Sequence, residues 1–364
     1  MGSPRDGSRG GGTPAPALRP ASTIMVVRDG DHATAPMEVL MVRRNLRSDF
    51  VGGAYVFPGG AVDRADAERL ANADALGRSD AEASEILGLE SGGLAYWLAA
   101  IRECFEEAGV LLAYAAPPPE ARARTGARAR TGARARTGAG AGAGQGWRFV
   151  DLVEAGAAER YAGYREQMNA GERRLAEVCA EEEIVPAVDQ VHYFAHWITP
   201  EGAPRRYDTR FFVAAAPPDQ VPAHDEGETI ATEWIRPADA LARHRDGGIE
   251  LIFPTIRNLQ AIGRFETAAE LLAAAAAAGR VPAILPKVVV DGRAARILLP
   301  GDPGYEGAMA AGQLDRDGRS TGSPGGAEVD FDAAVRAVSR AANSEDPATG
   351  LRPGTHAEAE DGRP

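Results

Sequence analysis

The chain has 364 residues, 44% of them hydrophobic, and a formal net charge of −12. That length is enough for one large or two small domains with a buried core, and the acidic balance opposes nonspecific binding to nucleic acid. No run of about 18 apolar residues is present to span a membrane, and two cysteines, Cys104 and Cys179, make neither a disulfide framework nor a zinc site.

Residues 1–20 carry glycine, proline and arginine but no apolar signal stretch, so a disordered N-terminus and a cytoplasmic protein are expected. The β-rich run Ala21–Arg28, a turn at Asp29-Gly30-Asp31 and a second run Glu38–Arg44 predict a hairpin. Ala54–Phe57 reads as a third strand that enters the turn Pro58-Gly59-Gly60. From Arg64 to Leu98 the chain is alanine-rich and acidic, punctuated by Gly77, Gly88 and Gly92-Gly93, as in an insertion of short helices. A helix is predicted over Ala95–Ala108, and Pro117-Pro118-Pro119 ends helical structure beyond it. Residues 117–146 form a low-complexity loop built around three tandem Ala-Arg-Ala-Arg-Thr-Gly copies, Ala121–Gly138, which contain nothing larger and apolar to bury.

Residues 147–185 are helical in character and predict a helical cap, with Tyr161, Tyr164, Met168, Leu175 and Val178 spaced for packing. Strands follow at Val191–Ile198, Arg206–Val213 and Ile230–Ile235, then a helix over Pro237–Arg245. Leu251–Thr255 precedes a helical stretch to Ala278, Val281–Leu299 is extended, and residues 301–364 read as a mostly disordered tail. His192 and His196 fall on one face of their strand by alternation and read as structural. Strands, a helix, more strands and closing helices over residues 21–300 indicate an α+β fold.

The helix over Ala95–Ala108 carries the chemistry. Glu103 and Glu107 are one turn apart, Glu106 lies beside them, and Arg102 precedes them. Carboxylates so close repel, and a hard cation such as Mg²⁺ or Mn²⁺, which prefers oxygen ligands, relieves that repulsion. The glycine turn upstream lets backbone approach a ligand closely.

Together Gly60 and Arg102-Glu103-Cys104-Phe105-Glu106-Glu107-Ala108-Gly109-Val110 resemble the Nudix box. The box's first glutamate falls on Asp66, and 35 residues separate Asp66 from Arg102 where the family has seven, so an insertion (67–98) splits the box. The resemblance implies a Nudix-type α/β/α sandwich with a mixed sheet, a helical insertion and a metal-dependent hydrolase of phosphoanhydrides. It also implies that Glu103, Glu106 and Glu107 bind the metal, that Arg102 orients a glutamate, and that a later carboxylate assists. Among Asp225, Glu226, Glu228 and Glu233, Glu228 is the choice.

The split box, Trp197-Ile198-Thr199-Pro200 and the run Arg206–Phe212 are similar to the subgroup of peroxisomal Nudix hydrolases that cleave coenzyme A and acyl-CoA. That subgroup releases 3′,5′-ADP and phosphopantetheine. The coenzyme A signature of the superfamily is met at Leu40, Arg44, Gly53 and Phe57–Gly60 and departs at Val42, Asn45 and Asp49. Arg43, Arg44 and Arg47 before the Gly-Gly turn, and Arg206 and Arg210 flanking Tyr207, can hold phosphate, so Arg43, Arg44, Phe57, Gly59, Gly60 and Arg210 are the substrate-binding candidates. The chain ends Asp361-Gly362-Arg363-Pro364 instead of a peroxisomal signal, so the organelle is not expected to carry over. A small nucleotide is the expected partner, without nucleic acid or membrane, and a homodimer is possible. The alternatives are an ADP-ribose or dinucleotide diphosphatase and a non-catalytic nucleotide-binding module.

Overall fold

The computed structural model describes residues 16–30, 36–46, 52–63, 77–115, 147–225, 227–291 and 294–308. Its strands in chain order are β1 (Leu18–Arg28), β2 (Glu38–Arg44), β3 (Tyr55–Val56), β4 (Gly59–Ala61), β5 (Ala113–Ala115), β6 (Arg148–Phe149), β7 (Ile184–Pro186), β8 (His192–Ile198), β9 (Arg206–Ala215), β10 (Thr229–Ile235), β11 (Ala283–Ile284), β12 (Lys287–Asp291) and β13 (Ala294–Leu298). The helices are α1 (Asp80–Leu87), α2 (Leu94–Ala108), α3 (Ala157–Asn169), α4 (Leu175–Glu181), α5 (Pro237–Arg245), α6 (Phe253–Ile262) and α7 (Ala268–Ala277).

The main sheet has the order β10-β2-β1-β9-β8-β11, with β3 on β2 and β4 on β1. It is mixed. β1 pairs antiparallel with β2 and β4 but parallel with β9 over ten rungs from Leu18↔Arg206 to Val27↔Ala215. Alternation along the strands sends apolar residues to both faces. Ile24, Val26, Leu40, Val42 and Phe212 pack on α2, while Met25, Val27, Met41, Phe211 and Val213 pack on a second cluster that includes Ile256 and Leu259 of α6. The sheet is thus sandwiched between helices, the expected α+β arrangement.

Four details differ from the sequence reading. β1 starts at Leu18, three residues before the apolar run, because parallel pairing with β9 continues beyond it. The segment 147–185 holds α3 and α4 but also β6 and β7, which flank β5 in a small antiparallel sheet with Tyr114 and Phe149 5.0 Å apart. The stretch to Ala278 breaks between α6 and α7, where the Thr267 side chain caps α7 by accepting from Glu270 N–H. His192 and His196 do not share a face: a register shift between Tyr193 and Ala195 pairs His192 with Val213 and His196 with Arg210, and those partners point to opposite sides of β9.

Arg47, Asp66, Glu226, the Ala-Arg-Thr-Gly repeats and the tail beyond residue 308 lie outside the described residues. Among the described residues no helix is long and apolar enough to cross a membrane.

Candidate active site

The sequence of α2, Leu-Ala-Tyr-Trp-Leu-Ala-Ala-Ile-Arg-Glu-Cys-Phe-Glu-Glu-Ala, is buried along almost its whole length. Its first turn has no side-chain cap of its own. Asp80, the first residue of α1, supplies one from outside by accepting from Gly92 N–H and Leu94 N–H, each at 2.9 Å. Gly109, left-handed at φ 67°, ends the helix by donating back to the Phe105 carbonyl. These two stops fix which residues of the last turns face the sheet edge.

There, α2 meets the glycine turn. Gly59 N–H donates to the Glu107 carboxylate at 3.0 Å, and a Cβ on Gly60 would collide with the Glu103 carboxylate. The two halves of the split motif are therefore in direct contact. Arg102 donates to Glu103 at 2.8 Å, to Glu106 at 2.5 Å and to the Ala61 carbonyl at 2.7 Å, pinning the helix to β4. Glu103 and Glu107 are buried. Burial raises the pKa of Glu103, with Arg102 opposing, and raises that of Glu107 well above the ordinary carboxylate range, with the Glu103 charge adding to the effect and the Gly59 N–H opposing it.

A cavity of about 780 Å³ opens beside these groups, toward the upper part of the size range of small-molecule sites. Arg44, Arg102, Glu103, Glu106, Glu107 and Glu228 line its polar end, and Phe57, Trp197, Phe211, Ile252 and Phe253 line an apolar wall. The loop before β10 delivers Glu228. Asp225 accepts from Thr229 N–H at 2.7 Å and Glu228 N–H at 3.0 Å, and Thr229 Oγ1 donates to the Glu107 carbonyl at 3.0 Å. Burial works against the Asp225 charge, but these hydrogen bonds hold its pKa below the usual value. On the other side, Arg165 of α3 donates to the Glu106 carbonyl at 2.8 Å, so the helical cap grips the end of α2.

Of the residues expected from the sequence, Glu103, Glu106, Glu107, Arg102, Glu228, Arg44, Phe57, Gly59 and Gly60 all line this cavity. Arg43 and Arg210 do not. Arg43 points to the other side of β2 from Arg44, where it donates to the Gly53 carbonyl and lies over Tyr55. Arg210 is turned to the α2 face of β9, is 4% exposed, pairs with Asp208 and lies 4.9 Å over the Tyr96 ring. Strand alternation explains both corrections. Arg206 is likewise buried, donating to the Thr199 carbonyl, and Glu233 pairs with Arg243 outside the cavity. Arg19, Thr23, Tyr207 and Asn169 also line the cavity, and no local sequence pattern marks them. The first three were detectable only through the parallel register of β1 and β9.

Among the described residues no three carboxylate, imidazole or thiolate groups are assembled to hold a metal ion as they stand. The expected trio Glu103, Glu106 and Glu107 is not preassembled for a cation, and Arg102 occupies the carboxylates of Glu103 and Glu106. The donor chemistry nonetheless fits a hard divalent cation. Two buried carboxylates destabilise each other's charge at a cavity wall, and an ion placed between them reverses that penalty.

The family profile of the NUDT19 Nudix domain matches residues 72–262, more than half of the chain. The acyl-coenzyme A diphosphatase NUDT19 of Xenopus laevis is 24% identical over 264 residues, covering 65% of this chain and 63% of that protein. The human protein of the same name is 25% identical over 300 residues, covering 73% and 72%. The chain therefore spans about two thirds of the length of these relatives. A crystal structure of a Nudix hydrolase from Alicyclobacillus acidocaldarius superposes with a TM-score of 0.50 at 23% identity, covering 71% of this chain and 96% of that one, a likeness of fold.

Proposed function

The chain belongs to the NUDT19 Nudix domain family, and from that premise we propose that it is a metal-dependent diphosphatase acting on coenzyme A or acyl-CoA. The observation that carries the reading is the buried Glu103–Glu107 pair, held against the Gly59-Gly60 turn at the polar end of the cavity. Carboxylates kept out of water beside one another are costly, and a role in holding a cation for a diphosphate accounts for them. The names of the Xenopus and human relatives support coenzyme A esters as the substrate class.

Glu103 and Glu107, joined by Glu106 once Arg102 releases it, are the residues that would hold Mg²⁺ or Mn²⁺. When bound, the cation supplies charge neutralisation at the diphosphate. The rest falls to the chain. Gly59 and Gly60, having no side chains, let the diphosphate approach the α2 carboxylates. Arg44 has no hydrogen bond or ion pair from its side chain among the described residues and faces the same wall, where it pairs with a phosphoryl oxygen. Arg102 orients Glu103 and Glu106. Glu228, exposed on a backbone-anchored loop, takes the proton of the attacking water. Water adds to phosphorus, the bridging P–O bond breaks, and coenzyme A yields 3′,5′-ADP and phosphopantetheine. The apolar wall of Trp197, Phe211 and Phe253 receives the pantetheine or acyl end.

The test is a hydrolysis panel of coenzyme A, an acyl-CoA, dephospho-coenzyme A, ADP-ribose, NADH and a nucleoside triphosphate, each with Mg²⁺, Mn²⁺ or EDTA. The expected result is metal-dependent turnover with coenzyme A or its ester preferred. Preference for ADP-ribose or NADH would refute the substrate assignment, and turnover undiminished by EDTA would refute the role given to the carboxylates.

A further inference from the structure

β1 and β9 run parallel in a register that builds one wall of the cavity in three rungs. Arg19 pairs with Tyr207, Ala21 with Thr209 and Thr23 with Phe211, and all six residues line the cavity. Their positions alternate along each strand, as one face of a sheet requires. The rung nearest the carboxylates is Thr23–Phe211, since Thr23 is also the register partner of Gly59. The middle rung, Ala21–Thr209, is small and leaves the wall open. The outer rung joins an arginine to a tyrosine four residues farther along, about 13 Å from Thr23 at the rise of a strand.

Arg19 is exposed and has no hydrogen bond or ion pair among the described residues, although most arginines around the site are engaged. Its unspent charge faces a cavity whose polar end is strongly acidic. A cation there, beyond the reach of the diphosphate position, suits a second anionic group on the same ligand. An aromatic ring beside it suits a nucleobase.

We propose that the Arg19–Tyr207 rung is the subsite for the adenosine 3′-phosphate, with the Arg19 guanidinium paired to that phosphate and the Tyr207 ring against the adenine. The proposal rests on the coenzyme A reading above and deepens it: Arg19 becomes the residue that separates coenzyme A from dephospho-coenzyme A and other diphosphates lacking the remote phosphate. Guanidinium and phosphate match bidentately, a geometry lysine does not reproduce.

The experiment has a binding arm and a kinetic arm, using the full chain, Arg19→Gln and Arg19→Lys. In calorimetry the unsubstituted protein binds adenosine 3′,5′-bisphosphate at least about tenfold more tightly than 5′-AMP, Arg19→Gln removes that preference, and Arg19→Lys restores part of it. In turnover, Arg19→Gln loses about tenfold to hundredfold more kcat/KM on coenzyme A than on dephospho-coenzyme A, chiefly through KM. An unsubstituted protein with no preference for the bisphosphate, or an Arg19→Gln variant that keeps it, overturns the assignment. Failure to turn over either substrate refutes the hydrolase reading, and the binding arm still decides the subsite.

Discussion

Replacing Glu107 by Gln is expected to stabilise the metal-free protein while disabling it. The carboxylate is 5% exposed, burial and the neighbouring Glu103 both press it toward its protonated form, and the Gly59 N–H that it accepts is equally available to a glutamine oxygen. Holding an ionised carboxylate in an interior costs several kcal/mol. The Gly59 hydrogen bond offsets some of that cost, so the neutral side chain is expected to release about 1–3 kcal/mol. For a domain of this size that is a rise in Tm of about 2–12 °C in EDTA. The same change removes one anionic donor from the metal site, a loss of about 3–5 kcal/mol of transition-state stabilisation, or about 10²- to 10⁴-fold in kcat/KM. Differential scanning calorimetry in EDTA and in Mg²⁺, alongside turnover of coenzyme A, reads both effects. A variant no more stable than its parent in EDTA would refute the burial penalty, and one still stabilised by Mg²⁺ as the parent is would show that the buried pair is not the cation site.

Three further outcomes follow from the same geometry. Because Glu103 and Glu107 have raised pKa values in the metal-free fold, the folded chain retains protons that the unfolded chain gives up; stability is therefore full below the ordinary carboxylate range and falls as pH rises through the folded values. Mg²⁺ replaces those protons, so its Tm increment should be larger at pH 8 than at pH 5.5, and an equal increment at both would contradict the linkage. Gly60→Ala drives its Cβ into the buried, Arg102-held Glu103 carboxylate, so it should cost about 1–3 kcal/mol in urea unfolding and lower kcat/KM by about 10²-fold through misplacement of the carboxylate; unaltered turnover would mean Glu103 is not used where it sits. Asp80→Ala deletes the cap at the start of α2 and should cost about 1–2 kcal/mol in urea unfolding, a loss whose absence would show that the α1 contact is incidental.

Local patterns made the site partly legible in the sequence. Helical spacing put Glu103 and Glu107 on one face of α2, and the Pro-Gly-Gly turn marked where backbone approaches them, because both depend on neighbours within a few residues. The arginines were harder. Arg43 and Arg44 are adjacent, and only the pairing of β2 decides which one faces the cavity. Arg210 looks like a phosphate ligand beside Tyr207, but it belongs to the opposite set of alternating positions, under α2. The histidine pair failed for a related reason, since one bulged residue reverses alternation and leaves no mark in composition. Arg19 was invisible because its importance comes from a parallel partner nearly 190 positions away.

The split in the motif costs less than its length suggests. Widening a linker from seven residues to 35 raises the entropy of closing it by about 1.4 kcal/mol, since each doubling adds only about 0.6 kcal/mol. The site does not rely on chain proximity to meet that cost. Gly59 and Gly60 reach α2 through a hydrogen bond and a close contact with its carboxylates, and Arg102 ties the helix to the Ala61 carbonyl. The described end of the insertion also contributes: α1 opens with Asp80, whose carboxylate takes two N–H groups at the start of α2 that the helix itself leaves uncapped. A cap of that kind is worth about 1–2 kcal/mol, comparable to the added closure entropy. The two halves of the box can therefore drift apart in sequence while the glutamates keep their position, provided the intervening segment returns with an acceptor for the first turn of α2.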